Sequence, residues 1–146
     1  KNKNDFLKEL GASTIMDRKE LDVESRPLDK GLWDGVVDTA GGKILAKAIS
    51  HTKPNGIVAA CGLAADYKLN TTVMPFIIRG VKLWGIDSVM ISNKRRKFLW
   101  SQIANLVDFN ILEKYTTIVG LEELLNVFPL MLKGETSGKI LVDLKK

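Results

Sequence analysis

Five consecutive apolar residues, Ile57-Val58-Ala59-Ala60-Cys61, stand between the turn-forming group Lys53-Pro54-Asn55-Gly56 and a single Gly62. A strand with one face in water alternates apolar and polar side chains, so an unbroken apolar run of this length fits a central parallel strand covered on both faces. Parallel strands require crossover connections, and the flanking sequence has the spacing of helices that could supply them. Ahead of the run, Gly41-Gly42 opens a segment with Ile44, Leu45, Ala48 and Ile49 on one side, and the Lys53 to Gly56 turn ends it.

The rest of the chain extends this pattern. Asp5 to Leu10 has helical spacing with Gly11 at its stop, Ala12 to Met16 reads as a short strand, and the polar stretch Asp17 to Asp29, with Pro27, suits a loop. Trp33 to Asp38 is a strand, with its apolar part from Gly35. Beyond Gly62, a loop from Leu63 to Thr72 leads to a short helical piece around Phe76-Ile77-Ile78, then a strand from Val81 to Ile86 that ends at Asp87-Ser88. Asn93 to Val107 reads as a helix with Leu99, Ile103 and Leu106 inward, Leu121 to Leu132 as another, and Lys139 to Leu144 as a last strand. Pro129, inside the second of these helices, predicts a kink, since an interior proline costs about 3 kcal/mol in an unadapted helix. Alternating strands and helices argue for an α/β fold built on a partial doubly wound, Rossmann-type parallel sheet.

Composition narrows the function. With 146 residues, 45% of them hydrophobic and 27% charged, the chain can bury a core. No run approaches the roughly 18 apolar residues of a membrane span, and the start Lys1-Asn2-Lys3-Asn4-Asp5 is not followed by the apolar stretch of a signal peptide, so a cytoplasmic protein is expected. A single cysteine and a single histidine make no zinc site, and no metal is expected. Cys61, on an apolar strand without a basic partner, reads as an inert buried thiol, and His51 as a helix-end residue. The net charge of +5 is scattered except at Lys94-Arg95-Arg96-Lys97, without the aromatic or loop signatures of nucleic-acid modules, so no nucleic-acid partner is expected. That basic run reads as a solvated first helical turn, with contact to an anionic group such as a CoA phosphate as the alternative.

Five blocks carry a resemblance: Glu24-Ser25-Arg26-Pro27-Leu28, Val37-Asp38-Thr39-Ala40-Gly41-Gly42, Val58-Ala59-Ala60-Cys61-Gly62-Leu63-Ala64, Thr71-Thr72-Val73-Met74-Pro75-Phe76-Ile77 and Gly85-Ile86-Asp87-Ser88-Val89. In this order and spacing the chain resembles the acrylyl-CoA reductase and zinc-free quinone oxidoreductase branch of the medium-chain dehydrogenase/reductase superfamily. The resemblance implies that residues 1–110 are the C-terminal part of a dinucleotide-binding domain. It implies that residues 111–146 return to a substrate domain of the GroES-like kind. A complete member would place a G-x-G-G-V-G turn before Lys1, where glycines let the backbone approach the pyrophosphate at a helix N-terminus. It would also place there a Gly-Lys or Gly-Arg pair for the 2′-phosphate. Without them this chain alone is expected to bind dinucleotide poorly.

The resemblance implies NADPH as cofactor and assigns contacts by position. Arg18, in Met16-Asp17-Arg18, matches an arginine over the adenine and 2′-phosphate, where a guanidinium can stack and chelate. Leu63 matches a position at the nicotinamide half, Ile77 and Ser88 match two further cofactor positions, and Lys139 matches a basic position near the cofactor. Lys1 and Lys3 follow the place of the phosphate-holding pair and are either added positive charge there or a solvated terminus. Read without the resemblance, Arg18 and Lys139 are solvated surface residues, and Leu63 and Ile77 are core or loop. No catalytic residue is assigned. The implied activity is NADPH-dependent reduction of an activated carbon–carbon double bond, acrylyl-CoA to propanoyl-CoA, with a quinone or enone as the alternative substrate. A non-catalytic nucleotide-binding or interaction module is the alternative from another class. The resemblance also implies a homodimer joined through the strand Val81 to Ile86, with Trp84 at or near the contact.

Overall fold

A computed structural model describes residues 3–146. The elements in order are α1 (Asn4–Glu9), α2 (Arg18–Leu21), β1 (Trp33–Asp38), α3 (Gly42–Ser50), β2 (Thr52–Ala60), α4 (Met74–Arg79), β3 (Lys82–Gly85), α5 (Asn93–Leu106), α6 (Phe109–Lys114), β4 (Thr116–Gly120), α7 (Leu124–Leu132) and β5 (Lys139–Asp143). They divide into two compact units, one of Met16–Ser92 and one of the segment ending at Ile15 with Asn93–Lys146.

The Met16–Ser92 unit is built on a parallel sheet in the order β1-β2-β3. Its core joins Leu45 and Ile49 of α3 to Val58 of β2 and to Val81, with Val36, Ala60 and Phe76 packed around them. The 3.6-residue spacing of Leu45, Ala48 and Ile49 places all three on the face of α3 that meets the sheet, where all are buried. Ile49 and Val58 are completely buried, and each such side chain contributes about 1.5–3 kcal/mol relative to exposure.

Among the described residues only one face of this sheet is covered. Val36, Val58 and Leu83 share one register row, and Val37, Ala59 and Trp84 share the next. Successive residues of a strand point to opposite faces. Val58 is wholly buried while Val37 is 77% and Trp84 60% exposed with Ala59 half-buried between them, so the second row is largely uncovered by the described residues. The expectation of a strand enclosed on both sides is corrected accordingly. Cys61, expected to be a buried thiol, is also exposed, with its sulfur hydrogen-bonding the Asp38 carbonyl at 3.3 Å.

Two further expectations change. Ala12 to Met16 forms no strand: a strand persists only when paired, and this segment joins the two compact units without a ladder partner among the described residues. The Lys53-Pro54-Asn55-Gly56 turn does not separate α3 from β2 but lies within β2. There the pairing steps from Trp33 opposite Thr52 to Gly35 opposite Ile57. Turn chemistry makes this irregularity feasible, since Asn55 takes the left-handed conformation at φ 63° and asparagine tolerates it better than most residues. Helix α3 ends earlier, at His51, whose Nδ1 lies 2.9 Å from the Lys30 carbonyl.

The loop before β1 is fastened to the end of α3 by Asp29. Its carboxylate, 5% exposed, accepts from Lys47 Nζ at 2.8 Å and from Ser50 Oγ at 3.0 Å. The Lys47 hydrogen bond first, then the Ser50 hydroxyl and the charges of Lys47 and His51, hold this carboxyl below its usual value of 3.8 against the opposing cost of burial. A carboxyl depressed in the folded state gives stability that is complete above the unfolded pKa and lost as pH falls through the folded one. The melting temperature is therefore expected to fall as the pH is taken from about 5 toward about 3, and Asp29→Asn to flatten that fall. An unchanged slope in a pH series of thermal melts would show that Asp29 does not contribute to it.

In the other unit, β4 and β5 pair in parallel with Thr116 opposite Lys139. Phe6 of α1 meets Tyr115 edge to face at 4.8 Å, and Glu9 accepts from both Lys114 and Tyr115. Helix α5 buries none of its residues, and Ile103 and Leu106, expected inward, are 42% and 84% exposed. Helix α7 begins at Leu124 and contains Pro129. No described helix is long and apolar enough to cross a membrane.

Candidate cofactor-binding edge

Three parallel strands finish in register, with Asp38 beside Ala60 and Ala60 beside Gly85. In open α/β sheets this carboxyl edge is where ligands bind, because the chain leaves each strand in a loop whose backbone groups are free to face outward. The same edge gathers Thr39-Ala40-Gly41, Cys61-Gly62-Leu63 and Ile86-Asp87-Ser88, from three of the five blocks singled out above.

The first two loops are tied together through backbone. The Cys61 amide donates to the Asp38 carbonyl at 2.9 Å, Ala64 to Thr39 at 3.1 Å and Ala65 to Ala40 at 2.8 Å. Two glycines make the approach possible. At Gly62 an added Cβ would lie 2.5 Å from the Thr39 carbonyl oxygen. At Gly41, which sits at φ 71°, one would overlap the Asp66 backbone oxygen. Asp38 completes the turn: its buried carboxylate accepts from the Gly41 amide at 2.9 Å, satisfying a backbone donor ahead of α3. Sequence reading gave Asp38 no role of its own, although an aspartate at a strand end three residues before a glycine pair is a turn signal.

The third loop is shaped by Asp87, whose carboxylate accepts from the amides of Val89 and Met90, both at 2.9 Å. These two bonds, Met90 first, lower its pKa below the usual carboxylate value. Asp87 is therefore committed to holding the loop.

With the backbone so occupied, the expected contact residues can be located. Leu63 is 66% exposed at the end of β2, and Ser88 is exposed after β3. Both lie at this edge, so Leu63 is not core. Ile77 is 77% exposed on α4, in the connection that leaves the edge and returns to β3. Arg18 is the first residue of α2 and exposed, in the same compact unit. Its position is set by a capping box in which Asp17 accepts from the Lys19 amide at 2.9 Å and Glu20 accepts from the Asp17 amide at 3.1 Å. Lys139 is exposed at the start of β5, in the other unit. Lys3 donates to the Thr136 carbonyl, and Lys1 lies outside the described residues. Two blocks far apart in sequence also meet: Glu24 to Pro27 and Thr71-Thr72, with Asn70, line a cleft of about 90 Å³.

The Met16–Ser92 unit presents two chemically different groups. Leu63 offers an apolar surface beside backbone loops at the sheet edge, and Arg18 offers a guanidinium for an anionic group. The chain has no G-x-G-G-V-G sequence to hold a pyrophosphate.

No protein-family model matches the chain. The probable acrylyl-CoA reductase AcuI of Escherichia coli is 40% identical over 95% of this chain and 43% of its own length. The putative quinone oxidoreductase YhfP of Bacillus subtilis is 37% identical over 96% of this chain and 43% of its length. Its crystal structure, solved with NAD bound, superimposes with a TM-score of 0.90 at 35% identity, covering 99% of this chain and 44% of that one. The crystal structure of the yhdH oxidoreductase from Salmonella enterica in complex with NADP superimposes with a TM-score of 0.91 at 39% identity over 97% of this chain and 44% of that one. The chain thus spans less than half the length of the relatives it matches.

Proposed function

We infer that this chain, a homologue over nearly its whole length of the acrylyl-CoA reductase and quinone oxidoreductase proteins of the medium-chain dehydrogenase/reductase superfamily, serves an NADPH-dependent reductase of activated carbon–carbon double bonds. The observation that carries the reading is the meeting of three matched blocks, with exposed Leu63 and Ser88, at one sheet edge in a chain 40% identical to a probable acrylyl-CoA reductase. In this reading residues 1–110 belong to the cofactor domain and residues 111–146 to the substrate domain. The chain acts within a longer protein whose upstream residues supply the pyrophosphate loop.

The cofactor, when bound, supplies hydride to the β-carbon of the alkene, and the work of this chain is binding and orientation. Leu63 presents apolar surface to the nicotinamide half and keeps water from it, and Ile77 and Ser88 supply two further cofactor contacts, one apolar and one a hydroxyl. Arg18 takes the 2′-phosphate and the adenine face, and Lys139 adds positive charge. The preferred substrate is acrylyl-CoA. The relative from B. subtilis favours a second reading, a quinone as acceptor. Both are tested by following NADPH oxidation by the protein with its upstream residues, using acrylyl-CoA and a small quinone in parallel. Turnover of acrylyl-CoA in excess of the quinone is expected. Turnover of the quinone alone would select the second reading, and oxidation by neither would end both.

Association is part of the proposal. Every residue of β3 is exposed, Trp84 by 60%, and its outer edge pairs with no other strand among the described residues. An unpaired edge leaves backbone donors and acceptors that a second copy can satisfy across a two-fold axis. The protein is expected to run as a dimer in light scattering at micromolar concentration, and Leu83→Pro to shift it to monomer. A wild-type monomer, or a dimer unaffected by the proline, would refute pairing through β3.

A further inference from the structure

Helix α4 carries Ile77, yet it has only six residues, too few to hold together without tertiary support. Support comes from its other face. Pro75 is fully buried, Phe76 packs on the core, and Arg79, the last helical residue, turns inward. Its guanidinium donates to the Ser50 carbonyl at 2.9 Å, to the Thr52 carbonyl at 3.1 Å and to the Asp29 carbonyl. Ser50 ends α3, where carbonyls lack helical partners and a cation is favoured by the helix dipole. One side chain of α4 thus fastens the end of α3, the start of β2 and the loop before β1. Gly80, left-handed at φ 59°, then turns the chain into β3.

We propose that Arg79 is a positioning residue for the cofactor, acting by clamping α4 so that Ile77, on its opposite face, is presented in one fixed place. The proposal rests on the reading of Ile77 as a cofactor contact. Five donors in a rigid plane let arginine reach three carbonyls at once, which neither methionine nor lysine can reproduce. Loss of the clamp frees the half-turn that carries Ile77 while leaving Pro75 and Phe76 in the core. The effect therefore falls on cofactor binding more than on the fold.

The test uses the protein with its upstream residues and four variants, Arg79→Met, Arg79→Lys, Asp29→Asn and Ile77→Ala, measured well below their melting temperatures. Arg79→Met is expected to raise both Kd and KM for NADPH about tenfold, in line with the loss of a charge-assisted hydrogen bond, and to leave kcat near wild type. Arg79→Lys is expected to recover part of the affinity. Asp29→Asn alters only the carboxylate that holds Lys47 and Ser50 and keeps the main-chain carbonyl that Arg79 reaches, so it is expected to lower the melting temperature with unchanged Kd. The clamp is overturned if Arg79→Met lowers only the melting temperature, or if Asp29→Asn weakens NADPH as much. Ile77→Ala examines the underlying contact separately: unchanged NADPH affinity in that variant removes the residue through which Arg79 would act. Wild-type protein that does not bind NADPH removes the cofactor reading itself.

Discussion

Arg18→Ala is expected to weaken NADPH binding by roughly 1.5 to 3 kcal/mol, about 10- to 150-fold, while changing NADH binding little. The expectation depends on chemistry more than on stability. Arg18 is exposed on the first turn of α2, and the capping box that sets its backbone uses the side chains of Asp17 and Glu20, so removing the guanidinium leaves the local fold intact. A guanidinium grips a phosphate through paired charge-assisted hydrogen bonds, and NADH has no 2′-phosphate to grip. Titration of both cofactors into wild type and variant gives the answer. Equal losses for the two would mean that Arg18 reads the adenine or the shape of the loop. The comparison has added point because one homologue was crystallised with NADP and another with NAD.

A second large effect is expected at Gly41→Val. The backbone there has φ 71°, unfavourable for a β-branched residue, and any Cβ would collide with the backbone oxygen of Asp66. Rotating a side chain relieves neither problem, because the obstacle is main chain. Strain and overpacking together should cost about 3 kcal/mol or more, a large part of the stability of an ordinary domain. Chemical denaturation of the variant checks this. A loss of less than about 1 kcal/mol would mean that the Gly62 to Asp66 loop can move away from the turn.

How much of this was legible in the residues depends on what each signal reports. The apolar run after the Lys53 to Gly56 turn and the spacing of Leu45, Ala48 and Ile49 report burial against neighbours in the same unit, and β2 and α3 formed accordingly. Ala12 to Met16 carried a short strand pattern, but pairing is a property of two segments, and no described strand pairs with this one. Ile103 and Leu106 have core-like spacing, which tells that a face is apolar without telling what covers it; both are exposed. Helix α2 was invisible beneath a polar stretch, although Asp17-Arg18-Lys19-Glu20 spells a capping box. At the candidate site, the blocks led to Leu63 and Ser88 at one edge, whereas Asp38, Asp87 and Arg79 emerged only from hydrogen bonds to backbone. The Asp38 bond has a local turn signal, whereas the long-range carbonyls that Arg79 reaches depend on what the fold brings near, and no spacing rule encodes that.

The first two loops at the sheet edge are tied to each other by main-chain groups and close-approaching glycines, while the carboxylates of Asp38 and Asp87 hold the turns. Leu63 projects from one of those loops, 66% exposed and outside the main-chain hydrogen bonds that tie it. A mutation at Leu63 can therefore alter what the edge touches without asking the scaffold to refold around it. Such a division lets selection sample new ligands by single steps at low risk to folding, provided Gly41 and Gly62 stay as they are. Evolvability of this kind is a property of the wiring, and it predicts that descendants of one ancestor diverge in recognition sooner than in shape.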